Sequence, residues 1–263
     1  MQNSPTCYQD LRRDLVDFIA AAIKQTPYDK TVIGLSGGID STVAAYLAVE
    51  ALGRERVLGV SLPSGTASTD LARDARAVAE NLGINLLEID ISPLMEVYRS
   101  LVPDDDPRRI GSKMVRERMS ILYHVAAMNN AAVLGTGNRS EHLLGYFSVF
   151  GDVACDINPL AWVYKTEVKK LGELLGVPQT IIDRPPTAGF WVGQTDEREF
   201  GFSYEDADPI LRLAFDKGYT KDQLQAAGLD GDLVECVLAR ARNTEFKRNV
   251  PIVPPCPSGR VYR

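Results

Sequence analysis

The stretch Thr31–Ser41, TVIGLSGGIDS, constrains this chain more than any other. It begins as a short apolar run (Val32, Ile33, Leu35) bounded by glycine and too short for a helix, which predicts a buried parallel strand. Ser36, Gly37 and Gly38 come next, and Asp40, Ser41 and Thr42 then open an alanine-rich helical run. Strand, glycine turn and helix N-terminus in that order make an anion site. Glycine lets the backbone close around an oxyanion, the first-turn N–H groups lack helical partners, and the helix dipole favours negative charge. The hydroxyls of Ser36, Ser41 and Thr42 are candidate further donors. The loop has neither the Walker spacing nor its lysine, and it is not G-x-G-x-x-G. Its acid, Asp40, makes electrostatic sense beside a phosphate if a divalent cation lies between them, so it reads as a Mg2+ ligand. The plain alternative is a strand–helix turn with Asp40 as an ordinary N-terminal helix charge.

The rest of the chain supplies a frame for such a loop. Residues 7–26 have apolar positions at helical spacing. RVLGVSLP and INLLEIDIS predict second and third strands, with a helix capped by Ser68-Thr69-Asp70 between them. Successive βα units require right-handed crossovers and a parallel sheet with helices on both faces, a doubly wound, Rossmann-like α/β fold. In such sheets ligands sit at the carboxyl ends of the strands where the strand order reverses, and the glycine loop falls at that edge. A helix at 93–101, a charged loop at 102–112 and a helix over 113–130 follow, with Arg116 and Arg118 near its start. Arginine there is unfavourable for the dipole unless it meets an anion; the alternative is pairing with Glu117 or the acids of 104–106. Ala131–Leu134 predicts a fourth strand. It places Thr136 at a strand end and Glu141 one turn into the next helix, able to give a second metal ligand. Asp152 and Asp156 are turn formers or substrate contacts, which spacing leaves open. Lys165 begins a helix ending at Gly176, and the aperiodic stretch after it, carrying Phe190 and Trp191, reads as a functional lid. Short helices at 204–217, 221–227 and 231–243 and an extended tail complete a single domain.

Composition narrows the partners. A net charge of −6 argues against nucleic acid, whose phosphates call for a basic surface. Four cysteines without a C-x-x-C suggest neither a zinc knuckle nor a disulfide framework, and no stretch reads as a signal peptide or membrane span. The expected setting is cytoplasmic, away from membranes.

The S-G-G-I-D-S hexapeptide resembles the signature of the PP-loop ATP pyrophosphatases, an adenine nucleotide alpha hydrolase-like fold. From about Tyr8 to Pro255 the chain is similar to the ammonia-dependent NAD synthetase family. The motifs are LSGGIDS, RERM at 116–119, GTGN-x-x-E at 135–141, GYF followed by GD and DINPL, Lys165 before a helix, RPPTAGFW-x-GQTDE, and a closing KR-x-x-P. The resemblance implies that Gly34, Leu35, Ser36, Gly37, Gly38, Ile39, Asp40, Ser41 and Thr42 hold ATP phosphates. It implies that Asp40 and Glu141 bind Mg2+, and that Thr136, Lys165 and Thr187 contact ATP or the adenylate. Asp40, Lys165 and Thr187 would form the catalytic set. Arg116, Asp156, Phe246 and Lys247 would meet the dinucleotide substrate. A homodimer, a lid near 184–200, a tail from 246, and free ammonia as nitrogen donor are implied as well. Four positions depart from the family pattern: Val149 for a lysine, Phe246 for a histidine, Val153-Ala154 for a glycine pair, and Ser112 for an asparagine. They fall on the dinucleotide side, so another carboxylic acid is the alternative substrate.

Overall fold

The short apolar runs pair into one parallel sheet. In the computed structural model, which describes residues 5–65, 69–191 and 193–254, the strands are β1 (Lys30–Gly34), β2 (Val57–Ser61), β3 (Asn85–Glu88) and β4 (Ala131–Leu134). Their order is β3-β2-β1-β4. The chain steps outward from β1 through β2 to β3, then returns to the far side of β1. The order therefore reverses between β1 and β4, beside the glycine loop, as a doubly wound α/β fold requires.

Alternation along the strands divides the core in two. Ile33, Val57, Ala132 and Leu134 pack with α1 (Pro5–Ala22), α2 (Ile39–Leu52) and α3 (Thr69–Leu82). Val32, Val60 and Val133 face α4 (Ser92–Leu101) and α5 (Pro107–Met128). After α6 (Arg139–Leu144), α7 (Lys165–Leu175) returns to the first face through Val168 and Leu171. Helix α2 lies between α1, α7 and the sheet and is buried along most of its length. Its Ala44, Ala45 and Ala48 let the backbones approach, while buried Val43 and Leu47 each contribute about 1.5–3 kcal/mol. Then come α8 (Gln179–Ile182), α9 (Asp196–Phe200), α10 (Tyr204–Leu211), α11 (Lys221–Ala226) and α12 (Gly231–Asn243). With α6, the last three enclose a separate apolar cluster around Tyr204, Ile210 and Val234.

Several sequence expectations shift. Residues 107–112 are helix rather than loop, because Asp106 caps the backbone N–H groups of Arg108 and Arg109 at 2.8 and 3.2 Å with Pro107 in the first turn. Arg116 and Arg118 therefore sit deep in α5, where the dipole objection lapses. The third strand pairs only to Glu88. The aperiodic stretch contains α8 and α9, and Glu245–Arg248 forms a 3-10 turn within the expected extended tail. Ser68 lies outside the described residues.

Candidate active site

At the carboxyl end of β1, Gly37 takes φ +78°, and a Cβ there would collide with the Leu71 carbonyl of α3. Glycine is thus required both by conformation and by contact. The loop hydroxyls scaffold the turn itself. Ser36 Oγ and Ser41 Oγ are 3.0 Å apart, Ser41 Oγ donates to the Gly38 carbonyl at 3.1 Å, and Thr42 Oγ1 donates to the same carbonyl at 2.8 Å. Thr42 is fully buried and its hydroxyl is spent on the turn. Arg184, just after α8, donates to Gly37 O at 3.2 Å and pairs with Asp74. The glycine loop, the segment after α8 and α3 are tied at one point.

The loop opens onto a cavity of about 690 Å3. Asp40, Glu141 and Lys165 converge on it from three helix N-termini. Lys165 Nζ donates to Asp40 Oδ2 at 2.5 Å and to Glu141 Oε1 at 2.9 Å. Burial disfavours the ammonium, but the Asp40 and Glu141 carboxylates override it and raise the lysine pKa. One cation cannot neutralise two acids, and burial pushes Glu141 up, to about 8. The lysine is set in place by Asp208, buried, which accepts from Thr166 N at 2.9 Å, Thr166 Oγ1 at 2.8 Å and Ser140 Oγ at 2.6 Å. Ser140 Oγ in turn accepts from Lys165 N at 2.8 Å.

The same geometry tests the site for a metal. A single nitrogen touches both carboxylates, so one cation can bridge Asp40 and Glu141. Among the described residues no cluster of three or more acidic, His or Cys side chains could hold a metal ion. Two carboxylates with the remaining positions left to phosphate oxygens and water is the arrangement Mg2+ favours in nucleotide sites.

Residues 184–190, with Asp196 and Glu199, line this cavity. Phe190 N donates to Gln194 Oε1 at 2.7 Å, Asp196 N to Pro186 O at 2.9 Å, and Tyr146 Oη to Glu199 Oε2 at 2.7 Å. The Phe190 ring lies over Gly111 of α5, where any Cβ would overlap it. Asp196 is buried, and its Oδ1 has no hydrogen-bond partner.

Of the residues singled out in the sequence, Gly34, Leu35, Ser36, Gly38, Ile39, Asp40, Ser41, Thr136, Glu141, Lys165, Thr187 and Lys247 line the cavity. Gly37 and Thr42 support the loop from behind. Arg116 is exposed and donates to Val149 O at 3.0 Å. Asp156 accepts from Val133 N at 2.7 Å and Tyr123 Oη at 3.3 Å, away from the cavity wall. Phe246 projects outward, 64 % exposed. Lys247 Nζ is held by the carbonyls of Gly145 and Phe147 at 2.5 and 2.6 Å.

One contributor escaped the sequence reading, and one named there takes the place expected of its neighbour. Asn138, fully buried, donates to Asp40 Oδ1 at 2.8 Å and accepts from Glu141 N at 3.0 Å, joining the two acids. Its signal was present: Asn with Glu three residues on is a helix N-cap pattern. Arg118, rather than Arg116, lines the cavity.

With this geometry in hand, comparison with known proteins is informative. The family model described as NAD synthase matches residues 11–251. The NH3-dependent NAD+ synthetase of Fusobacterium nucleatum is 38% identical over 245 residues, covering 93% of this chain and 95% of that one. The NH3-dependent NAD+ synthetase of Methanococcoides burtonii is 42% identical over 241 residues, with 90% and 91% covered. Among solved structures, the NMN synthetase of Francisella tularensis superposes with a TM-score of 0.83 at 34% identity, covering 95% and 99% of the two chains. The NH3-dependent NAD synthetase of Campylobacter jejuni gives a TM-score of 0.80 at 29% identity, covering 94% and 99%. The loop, the convergent acids and lysine, and these matches together make the chain a member of the NAD synthase family.

Proposed function

We propose that the chain is an ATP-dependent, amide-forming ligase that converts deamido-NAD and ammonia to NAD, with AMP and pyrophosphate as by-products. The observation that carries this reading is the meeting of Asp40, Glu141 and Lys165 beside the glycine loop, under a lid. A carboxylate resists nucleophiles because it is already anionic. Its oxygen therefore attacks the α-phosphorus of ATP, the bond to the bridging oxygen breaks, and pyrophosphate leaves. Ammonia then adds to the acyl carbon of the mixed anhydride, AMP departs, and a proton is lost to give the carboxamide.

The backbone N–H groups of Gly34–Thr42 would cradle the phosphates, with Gly37 and Thr42 shaping the turn. Lys165 would neutralise charge on the departing pyrophosphate, and Thr136 and Thr187 would fix the nucleotide. Asp40 and Glu141 would hold Mg2+, which when bound supplies charge neutralisation to the phosphate chain. The segment 184–200 would close to keep water from the adenylate. Arg116, Asp156, Phe246 and Lys247 would serve the distal half of the dinucleotide. Three of them, Arg116, Asp156 and Phe246, lie off the cavity wall, which supports a homodimer whose second subunit completes that end. The chain would work as one domain in the cytoplasm; no described helix is long and apolar enough to cross a membrane.

A second reading rests on the Francisella neighbour, an NMN synthetase, together with Val149 and Phe246. In it the acid is the shorter nicotinate mononucleotide. The test is pyrophosphate release with saturating ammonium and either deamido-NAD, the mononucleotide or a panel of other carboxylic acids. Greatest stimulation by deamido-NAD is expected. No stimulation by any nicotinate nucleotide would reject both readings. Asp40→Asn should remove adenylate formation without unfolding the protein.

A further inference from the structure

Six cationic side chains line the cavity: Arg108, Arg118, Lys165, Arg184, Arg240 and Lys247. Four are already engaged. Arg108 pairs with Glu199, Lys165 with Asp40 and Glu141, Arg184 with Asp74, and Lys247 with two carbonyls. Arg240 lies over the Phe200 ring at 4.4 Å. Arg118 differs: among the described residues its one hydrogen bond runs from Nε to Leu62 O at 3.0 Å, and no carboxylate pairs with it. Burial lowers its pKa without any opposing anion. A desolvated guanidinium whose terminal nitrogens have no protein partner is a donor fork awaiting an acceptor.

Its place in the fold says which acceptor. Helix α5 leads at its C-terminus directly into β4, so its N-terminal half lies toward the carboxyl ends of the strands. Leu122 packs on Gly34 at the end of β1: a Cβ on that glycine would sit 3.1 Å from Leu122 Cδ1. Arg118 is one turn earlier on the same helix face and reaches the carbonyl of Leu62 just past β2. It therefore overhangs the ends of β1 and β2, beside the stretch where the nucleoside half of a nucleotide lies when its terminal phosphates occupy the loop before α2.

Resting on the nucleotide reading above, we propose that Arg118 binds the α-phosphoryl group of the nucleotide, the phosphate that stays on the enzyme from ATP through adenylate to AMP. The bond from Nε to Leu62 O fixes the plane of the fork, so its outer nitrogens are presented without further ordering. That position would stabilise charge on the phosphorus during carboxylate attack and again during AMP departure.

The experiment is calorimetric titration of the full-length protein with AMP and with adenosine. Wild type should bind AMP at least ten-fold more tightly than adenosine. Arg118→Met should bring AMP affinity down to that of adenosine, leaving adenosine within two-fold of wild type, and Arg118→Lys should fall between. Equal loss of both ligands would overturn the assignment, as would an AMP preference that survives in Arg118→Met. Should Arg118→Met unfold, Arg118→Gln keeps a donor for Leu62 O and reads the same comparison. Failure of the underlying reading looks different: wild type then binds neither ligand, and the assignment falls with it.

Discussion

Lys165 Nζ lies 2.5 Å from Asp40 Oδ2, across the mouth of the glycine loop, joining residues 125 positions apart in the chain. The ammonium also reaches Glu141. A Mg2+ ion held by Asp40 and Glu141 would therefore share both acids with the lysine. Bound nucleotide phosphates would offer the lysine another anion and leave the acids to the metal. Lys165→Met should lower adenylate formation by about 10²–10³-fold. It should also bind Mn2+ more tightly than wild type in the absence of nucleotide, since two acids are left uncompensated. Titration of nucleotide-free protein followed by Mn2+ paramagnetic resonance measures this, and equal affinity in the two proteins would contradict it.

Asn138 serves as both helix cap and brace for Asp40. Asn138→Ala removes both contacts and should cost about 1–3 kcal/mol in urea unfolding. Asn138→Asp keeps the cap but sets a second charge against Asp40. It should abolish pyrophosphate release with the cap contact retained, and activity near wild type would show that the brace is dispensable.

Gly111 separates stability from chemistry. In the interior of α5, alanine is favoured over glycine by about 1 kcal/mol, which offsets part of the cost of displacing the Phe190 ring, so Gly111→Ala should stay folded. Its methyl group would displace the Phe190 ring and with it the lid. The adenylate should then leak to water, raising the ratio of AMP to amide product at fixed ammonium. Unchanged coupling would mean that Phe190 does not hold the lid.

Cys155 gives a pH signature. Burial, reinforced by the Asp156 charge, raises its thiol from 9 to about 11. Between those values the folded chain keeps a proton that the unfolded chain gives up. Stability is therefore fully present below pH 9 and falls as pH rises toward 11, by up to about 2 kcal/mol. Cys155→Ala should flatten that part of a pH–stability curve relative to wild type. Iodoacetamide should likewise modify Cys155 slowly at pH 8, which peptide mass mapping can follow.

The strands and most helices were legible because apolar period, glycine stops and caps are local signals. Ala131–Leu134 and Gly231–Asn243 appear with the expected bounds. So was the loop, where one short segment contains strand, turn and helix start. What the sequence obscured was direction. Arg116 and Arg118 share a motif two residues apart, but a helix turns 200° over that interval, so one is exposed and the other lines the cavity. The start of α5 was hidden because proline and acids read as loop until Asp106 is seen as a cap and Pro107 as a first-turn residue. Asp156 illustrates the remaining limit: its choice between turn, ligand and backbone acceptor depends on Val133, which only the fold brings near.

Strand β4 lies at the border of the sheet, where an unpaired row of amides invites another chain to dock. The Asp156 carboxylate takes Val133 N–H, Gly135 N–H goes to Ile157 O at 2.7 Å, and Ile157 forms a bridge with Leu134. A few residues of irregular chain thus close the border that, among the described residues, no fifth strand covers, with the Asp156 carboxylate against its amides. The same contacts fix the carboxyl end of β4, where Leu134, Gly135 and Thr136 turn into the cavity.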